Sequence, residues 1–80
     1  MSITVMPLSK SKKNQKSKVL SIRLKEPQRR RVFDLGIINN TILTTIQESP
    51  YGGLKSYEIR GAIIAIRDED AGKIIVKKIN

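Results

Sequence analysis

The chain has no cysteine, no histidine and no tryptophan, and its only aromatics are Phe33, Tyr51 and Tyr57. Without cysteine there can be no disulfide and no thiolate metal site. Without histidine the commonest metal ligand and general base is missing, and no side chain with an ordinary pKa titrates near neutrality. Both absences argue against an enzyme and against a structural zinc domain. Long apolar runs are missing too. The longest uninterrupted one is Ala62 to Ile66, far short of the ~20 residues that cross a bilayer. Met1 to Leu8 is mildly apolar but carries no basic leader and no small-residue cleavage site. The expectation is a cytoplasmic protein, not inserted in the membrane.

Acid is scarce where base is plentiful. Up to Arg31 there are ten Lys/Arg against one acid, Glu26, whereas from Val32 onward six face six. The net charge of +9 therefore belongs to the first part of the chain. Such a block can be an electrostatic footprint for nucleic acid, an anionic membrane or an acidic protein face. Lys10 to Lys18 alone also reads as a solvated loop, and that plainer reading is preferred for it.

Eighty residues make one domain with a small core, since a chain this short buries only about 60% of its unfolded surface. Ile, Leu and Val dominate the apolar positions and favour half-buried pleated strands. Residues 1–5 read as an N-terminal extension, and Lys10 to Ser17 as a polar loop. Val19 to Leu24 alternates, with Leu20, Ile22 and Leu24 on one face and Ser21 and Arg23 on the other, the pattern of a strand with one wet face. The period then changes. Pro27 suits a first helical turn, and Gly36 supplies the left-handed residue that commonly ends a helix. Between them Val32 with Leu35 and Phe33 with Ile37 form an apolar face, while Arg30 and Asp34 make an outward i,i+4 pair. A helix this short must dock on a sheet to persist.

Asn39-Asn40 marks a turn. Thr41 to Glu48, Leu54 to Ile59 and Ala62 to Arg67 are the next strands, the last two joined by a tight Arg60-Gly61 hairpin. Asp68 is expected to cap one helical turn through Ala71, and Lys73 to Ile79 closes the domain. Five strands, one helix between the first two and a helical turn before the last predict a mainly β fold, a small SH3-like barrel spanning residues 1–80. Closing the sheet would remove exposed edges.

No catalytic constellation emerges: there is no G-x-S-x-G elbow and no phosphate-cradling G-x-x-x-x-G-K-[ST] loop. Asp68, Glu69 and Asp70 form the one acidic cluster. A hard cation needs more oxygen ligands than these, and acids at a helix start are favoured by its dipole, so no metal site and no cofactor is assigned. Arg29-Arg30-Arg31 could pair with carboxylates or phosphates or could be the wet side of the helix, stems shielding apolar surface. Three adjacent arginines cannot all face one way. Tyr51, beside Gly52-Gly53, could anchor a partner or fold down as a lid. Tyr57, inside a strand, should pack with its hydroxyl at the rim.

Several motifs, in order, are shared with a known family. They are Met6-Pro7-Leu8-Ser9, then Arg30 to Ile37 (RRVFDLGI), then Ser49-Pro50-Tyr51-Gly52, then Tyr57-Glu58-Ile59-Arg60-Gly61, then Ile64-Ala65-Ile66-Arg67. From Met6 onward the chain resembles the ferrous iron transport protein A family. Asn14, Asn39-Asn40 and Gly53-Leu54 depart from the family pattern, all in turns, and the basic run is heavier than usual. The resemblance implies an SH3-like barrel without catalytic activity and with transition metal ion handling as its setting. The implied partner is ferrous iron transport protein B, a membrane permease with a cytosolic GTP-binding domain, which would hold the chain at the inner face of the membrane. Candidate partner contacts are Arg29, Arg30, Arg31, Val32 and Tyr51. The oligomeric state is left open, including a homo-oligomer. Two alternatives stand beside this reading. One is a nucleic-acid-binding barrel, disfavoured by the few aromatics available for stacking. The other is a stand-alone regulatory module like the barrel domain of metal-dependent repressors.

Overall fold

The computed structural model describes residues 3–49 and 52–80. Six strands and two short helices follow one another: β1 (Val5–Pro7), a 3-10 turn (Leu8–Lys10), β2 (Lys16–Ile22), α1 (Gln28–Asp34), β3 (Ile42–Glu48), β4 (Leu54–Ile59), β5 (Ala62–Arg67), α2 (Asp68–Ala71) and β6 (Ile74–Lys78). All neighbouring strands run antiparallel, in the order β1-β6-β2-β3-β4-β5. The fold is mainly β and SH3-like, as the sequence predicts, with two differences. There is a sixth strand at the N-terminus, and the sheet does not close, so β1 and β5 are its edges.

The extra strand takes in Val5, the last residue of the stretch read as an extension, with Thr4 beside it; Met1 and Ser2 lie outside the described residues. Val5 pairs with Lys77 and Met6 with Val76, and the Lys78 N–H donates to the Thr4 carbonyl at 2.9 Å. Three residues are too few for a visible alternation, which is why the sequence hides it.

β2 also differs from expectation. It begins three residues earlier, and its buried side chains are Ser17 and Val19, while Leu20 is 39% exposed. The register slips between Val19 and Ser21. Leu20 is the additional residue of a bulge, which flips the phase of the strand. Val19 and Ile22 then both face inward, opposite Val76 and Ile74. A similar slip between Thr45 and Gln47 ends the regular alternation of β3 after Leu43 and Thr45, both buried.

β4, β5 and their hairpin stand where the sequence puts them. Arg60 (φ 52°) and Gly61 (φ 86°) are both left-handed, the signature of a two-residue turn matched to strand twist. Asn40 (φ 75°) likewise makes the turn before β3. β6 stops at Lys78, leaving Ile79 outside the strand and 41% exposed.

The core gathers Leu8, Val19, Leu43, Tyr57, Ile74 and Val76 with Val32 and Ile37 from the α1 region. Tyr57 is wholly buried, hydroxyl included, so that hydroxyl does not reach the rim. Asp68 is not a cap. It is the first residue of α2, Arg67 occupies the capping position without a side-chain bond, and Asp68 Oδ1 is buried without a hydrogen-bond partner among the described residues. The chain before it is already extended at Arg67 (ψ 143°), which moves the cap one residue earlier.

Candidate functional site

Helix α1 is held by its C-terminal end. The Ile37 N–H donates to the Val32 carbonyl at 3.2 Å and the Gly36 N–H to that of Phe33 at 2.9 Å. With Gly36 at φ 93°, this is the paired bonding of a Schellman motif, which usually carries an apolar contact between the residues playing the parts of Val32 and Ile37 here. Both are buried, at 3% and 0% exposure. Thr41 completes the joint: its hydroxyl accepts from the Ile38 N–H at 3.0 Å and donates to the Gly36 carbonyl at 3.4 Å.

Anchoring through Val32 and Ile37 fixes what the rest of the helix presents. Phe33 is 59% and Leu35 41% exposed. The apolar face expected from Val32/Leu35 and Phe33/Ile37 therefore splits, one member of each pair going inside. Four apolar residues in six positions surround so short a helix, and the small sheet has room for only part of that circumference.

The arginines diverge as the sequence requires. Arg29 shares a groove of about 360 Å³ with Ile22, Phe33, Ile37, Ile38 and Asn39. Arg30 points outward to Asp34, Nε to Oδ1 at 3.4 Å, both side chains well exposed. Arg31 lines a smaller hollow with Leu35, Ile66, Arg67 and Asp70. Of the predicted contact residues the structure thus exposes Arg29, Arg30 and Arg31 and buries Val32. Tyr51 lies outside the described residues. Phe33 is the residue that sequence reasoning placed in the core; the signal that could have found it was the excess of apolar positions over the space available.

The groove beside Phe33 offers an apolar wall, one guanidinium and the amide of Asn39. That set can seat an apolar side chain flanked by a carboxylate. It holds no nucleophile paired with a base. Among the described residues, no group of three or more acidic side chains is placed to hold a metal ion, and no helix is long and apolar enough to cross a membrane.

Comparison with known proteins places this architecture. Residues 6–78 match the FeoA domain family. No curated protein sequence matches the chain. Among solved structures, the FeoA protein from Chlorobium tepidum is 27% identical with a TM-score of 0.87, the match covering 94% of this chain and 71% of that one. A FeoA-like protein from Clostridium acetobutylicum is 25% identical with a TM-score of 0.85 over 95% of this chain and 88% of that one. A manganese-dependent transcriptional repressor, at 22% identity and a TM-score of 0.84, shares the fold over 94% of this chain but only 37% of its own. The chain belongs to the FeoA family, small accessory domains of ferrous-iron uptake.

Proposed function

We propose that the chain is a non-enzymatic cytoplasmic accessory protein that binds the cytosolic GTP-binding domain of ferrous iron transport protein B and supports Fe2+ uptake. The observation that carries this reading is the family match across residues 6–78. The surface of α1 supports it. A phenylalanine 59% exposed beside a groove with one arginine has the make-up of an interface anchor, apolar contact surrounded by charge. Arg30 and Arg31 add charge on the adjoining surface, steering an acidic partner face.

The test is titration of the permease's cytosolic domain with this chain at low salt, by calorimetry. Saturable binding is expected. Arg29→Glu together with Phe33→Ala should weaken it by about tenfold or more, as for a central interface contact. No binding by the unaltered chain would remove the partner; unaltered affinity of the variant would remove the site.

The likeness to the manganese-dependent repressor favours a second reading, a stand-alone regulatory module acting on a larger assembly. The match covers only 37% of that protein, and among its described residues the chain contains only the short helices α1 and α2, so a recognition helix would have to come from the larger assembly. Capture of a transcription factor in place of the permease domain would favour this reading.

A further inference from the structure

Two features of the basic N-terminal segment lie outside the α1 site. The first is a hollow of about 490 Å³ lined by Lys10, Lys12 and Lys13, by Lys55 from β4 and by the single carboxylate of Glu48, with Ser11 and Thr45 among its walls. The hydroxyl protons there are spent. Ser11 Oγ donates to the Leu8 carbonyl at 2.7 Å, so Thr45 Oγ1 must donate to Ser11 Oγ, 2.5 Å away, each hydroxyl having one proton. What the hollow offers an anion is therefore its ammonium groups, not a hydroxyl donor. Lys12 and Lys13 continue into a neighbouring concavity with Lys78. The two ion pairs among the described residues both use arginine, so these lysines form none, and in the hollow four of them face the single carboxylate of Glu48.

The second feature is a row across the sheet. Val5 stands opposite Lys77, Lys77 opposite Lys18, and Lys18 opposite Ile42. Val19 and Val76, one position along, face the core, so this row faces solvent. Like charges directly opposite destabilise a sheet. Here they are flanked by Val5 and Ile42, 53% and 51% exposed. A lysine pair flanked by exposed aliphatics is what a membrane-surface element presents, ammonium groups to phosphates and short apolar side chains to the acyl boundary.

We infer that the Lys10–Lys18 segment with Lys77 and Lys78 is a peripheral contact for an anionic phospholipid surface. This is a direct lipid contact, separate from the α1 groove, and would place the chain on the membrane with or without a protein partner. Charge complementarity selects the occupant: an excess of ammonium charge spread over a hollow and an outer sheet face suits a field of headgroup phosphates better than one small anion.

The experiment is co-sedimentation of the full chain with vesicles of equal parts phosphatidylglycerol and phosphatidylcholine, against phosphatidylcholine alone, in ~50 mM salt, a condition that leaves surface charges weakly screened. Binding to the anionic vesicles alone is expected, falling steeply as salt rises. Lys18→Glu with Lys77→Glu should reduce partitioning by about thirtyfold or more, each lysine near an anionic surface being worth about fivefold. Lys12→Glu with Lys13→Glu, at two exposed loop positions, should act similarly and guards against a folding defect, checked by circular dichroism. Equal binding to both vesicles, no binding to either, or anionic binding undiminished in both folded variants would overturn the inference. So would binding of pyrophosphate or single-stranded RNA without vesicle binding. None of these outcomes depends on the permease.

Discussion

The β4–β5 hairpin and the N-terminal segment from Val5 to Ser17 reach the same end, buried side chains and satisfied backbone, by opposite routes. The hairpin is local. Its six register pairs run from Leu54–Arg67 to Ile59–Ala62 around Arg60-Gly61, and every partner is within fourteen residues. The N-terminal segment is stitched to distant chain. The Asn14 N–H donates to the Thr45 carbonyl at 2.7 Å, the Thr45 N–H to that of Gln15 at 2.9 Å, and Lys55 Nζ to that of Ser9. Ser11, Gln15 and Ser17 are buried although the run looks like a solvated loop. Polar residues can go inside when their hydrogen bonds are met: Gln15 and Ser17 bond to each other and Gln15 to Lys12 and Met6 nearby, whereas the Ser11 hydroxyl and the Asn14 and Gln15 backbone reach across to Thr45 of β3. Local pattern carries a hairpin; it cannot carry a stitch.

The largest effect should come from treating the N-terminal segment as core. Leu8, in the 3-10 turn, is fully buried. Leu8→Ala should cost about 3 kcal/mol, as for a buried leucine leaving a cavity. Leu20→Ala, on the bulge and 39% exposed, should cost under about 1 kcal/mol. Urea unfolding of both variants checks this. Equal costs would mean that the 3-10 turn is not docked as described, and the contrast with the hairpin would collapse.

Next in size is the hairpin turn. A methyl group on Gly61 would meet nothing within 4 Å, so only its φ of 86° resists substitution. Gly61→Ala should cost about 1 kcal/mol in the same unfolding experiment. Because the strain is confined to the turn, the sheet register should survive, visible as unchanged amide shifts in β2 and β6. Changes spreading to those strands would show that the hairpin is less self-contained than its pairing suggests.

These contrasts explain what was legible. β4, β5, the Gly36 helix stop and the Asn39-Asn40 turn could be read because each rests on residues adjacent in sequence. β1, the bulge at Leu20 and the buried Ser11–Thr45 pair could not, because their cause is a partner strand. For the candidate site, the exposure and divergence of the three arginines followed from helical spacing alone. The exposure of Phe33 did not: at 3.6 residues per turn Phe33 and Val32 are both eligible for the core, and only docking through the Val32–Ile37 end decides between them.

Tyr57 is where the two regions meet, and its variant should show the smallest effect. It belongs to β4, yet its hydroxyl is buried near Ser11 of the N-terminal segment and Asp68 of α2, and it finds no hydrogen-bond partner among the described residues. Removing an unpaired buried hydroxyl leaves nothing unsatisfied, so Tyr57→Phe should change stability by less than about 1 kcal/mol at pH 7, in either direction. The distinguishing effect is at high pH. Burial, reinforced by the Asp68 carboxylate, raises the Tyr57 pKa well above its ordinary value of 10.0. A raised pKa means that the folded state holds its proton more tightly than the unfolded state. The stability gained is complete below the unfolded value and is lost as pH rises above it toward the folded one. The wild type should therefore lose stability above pH 10.0 faster than Tyr57→Phe, in parallel denaturation series across that boundary. Superimposable curves would mean that the phenol is as well solvated folded as unfolded, and that the N-terminal segment does not seal the hairpin at this point.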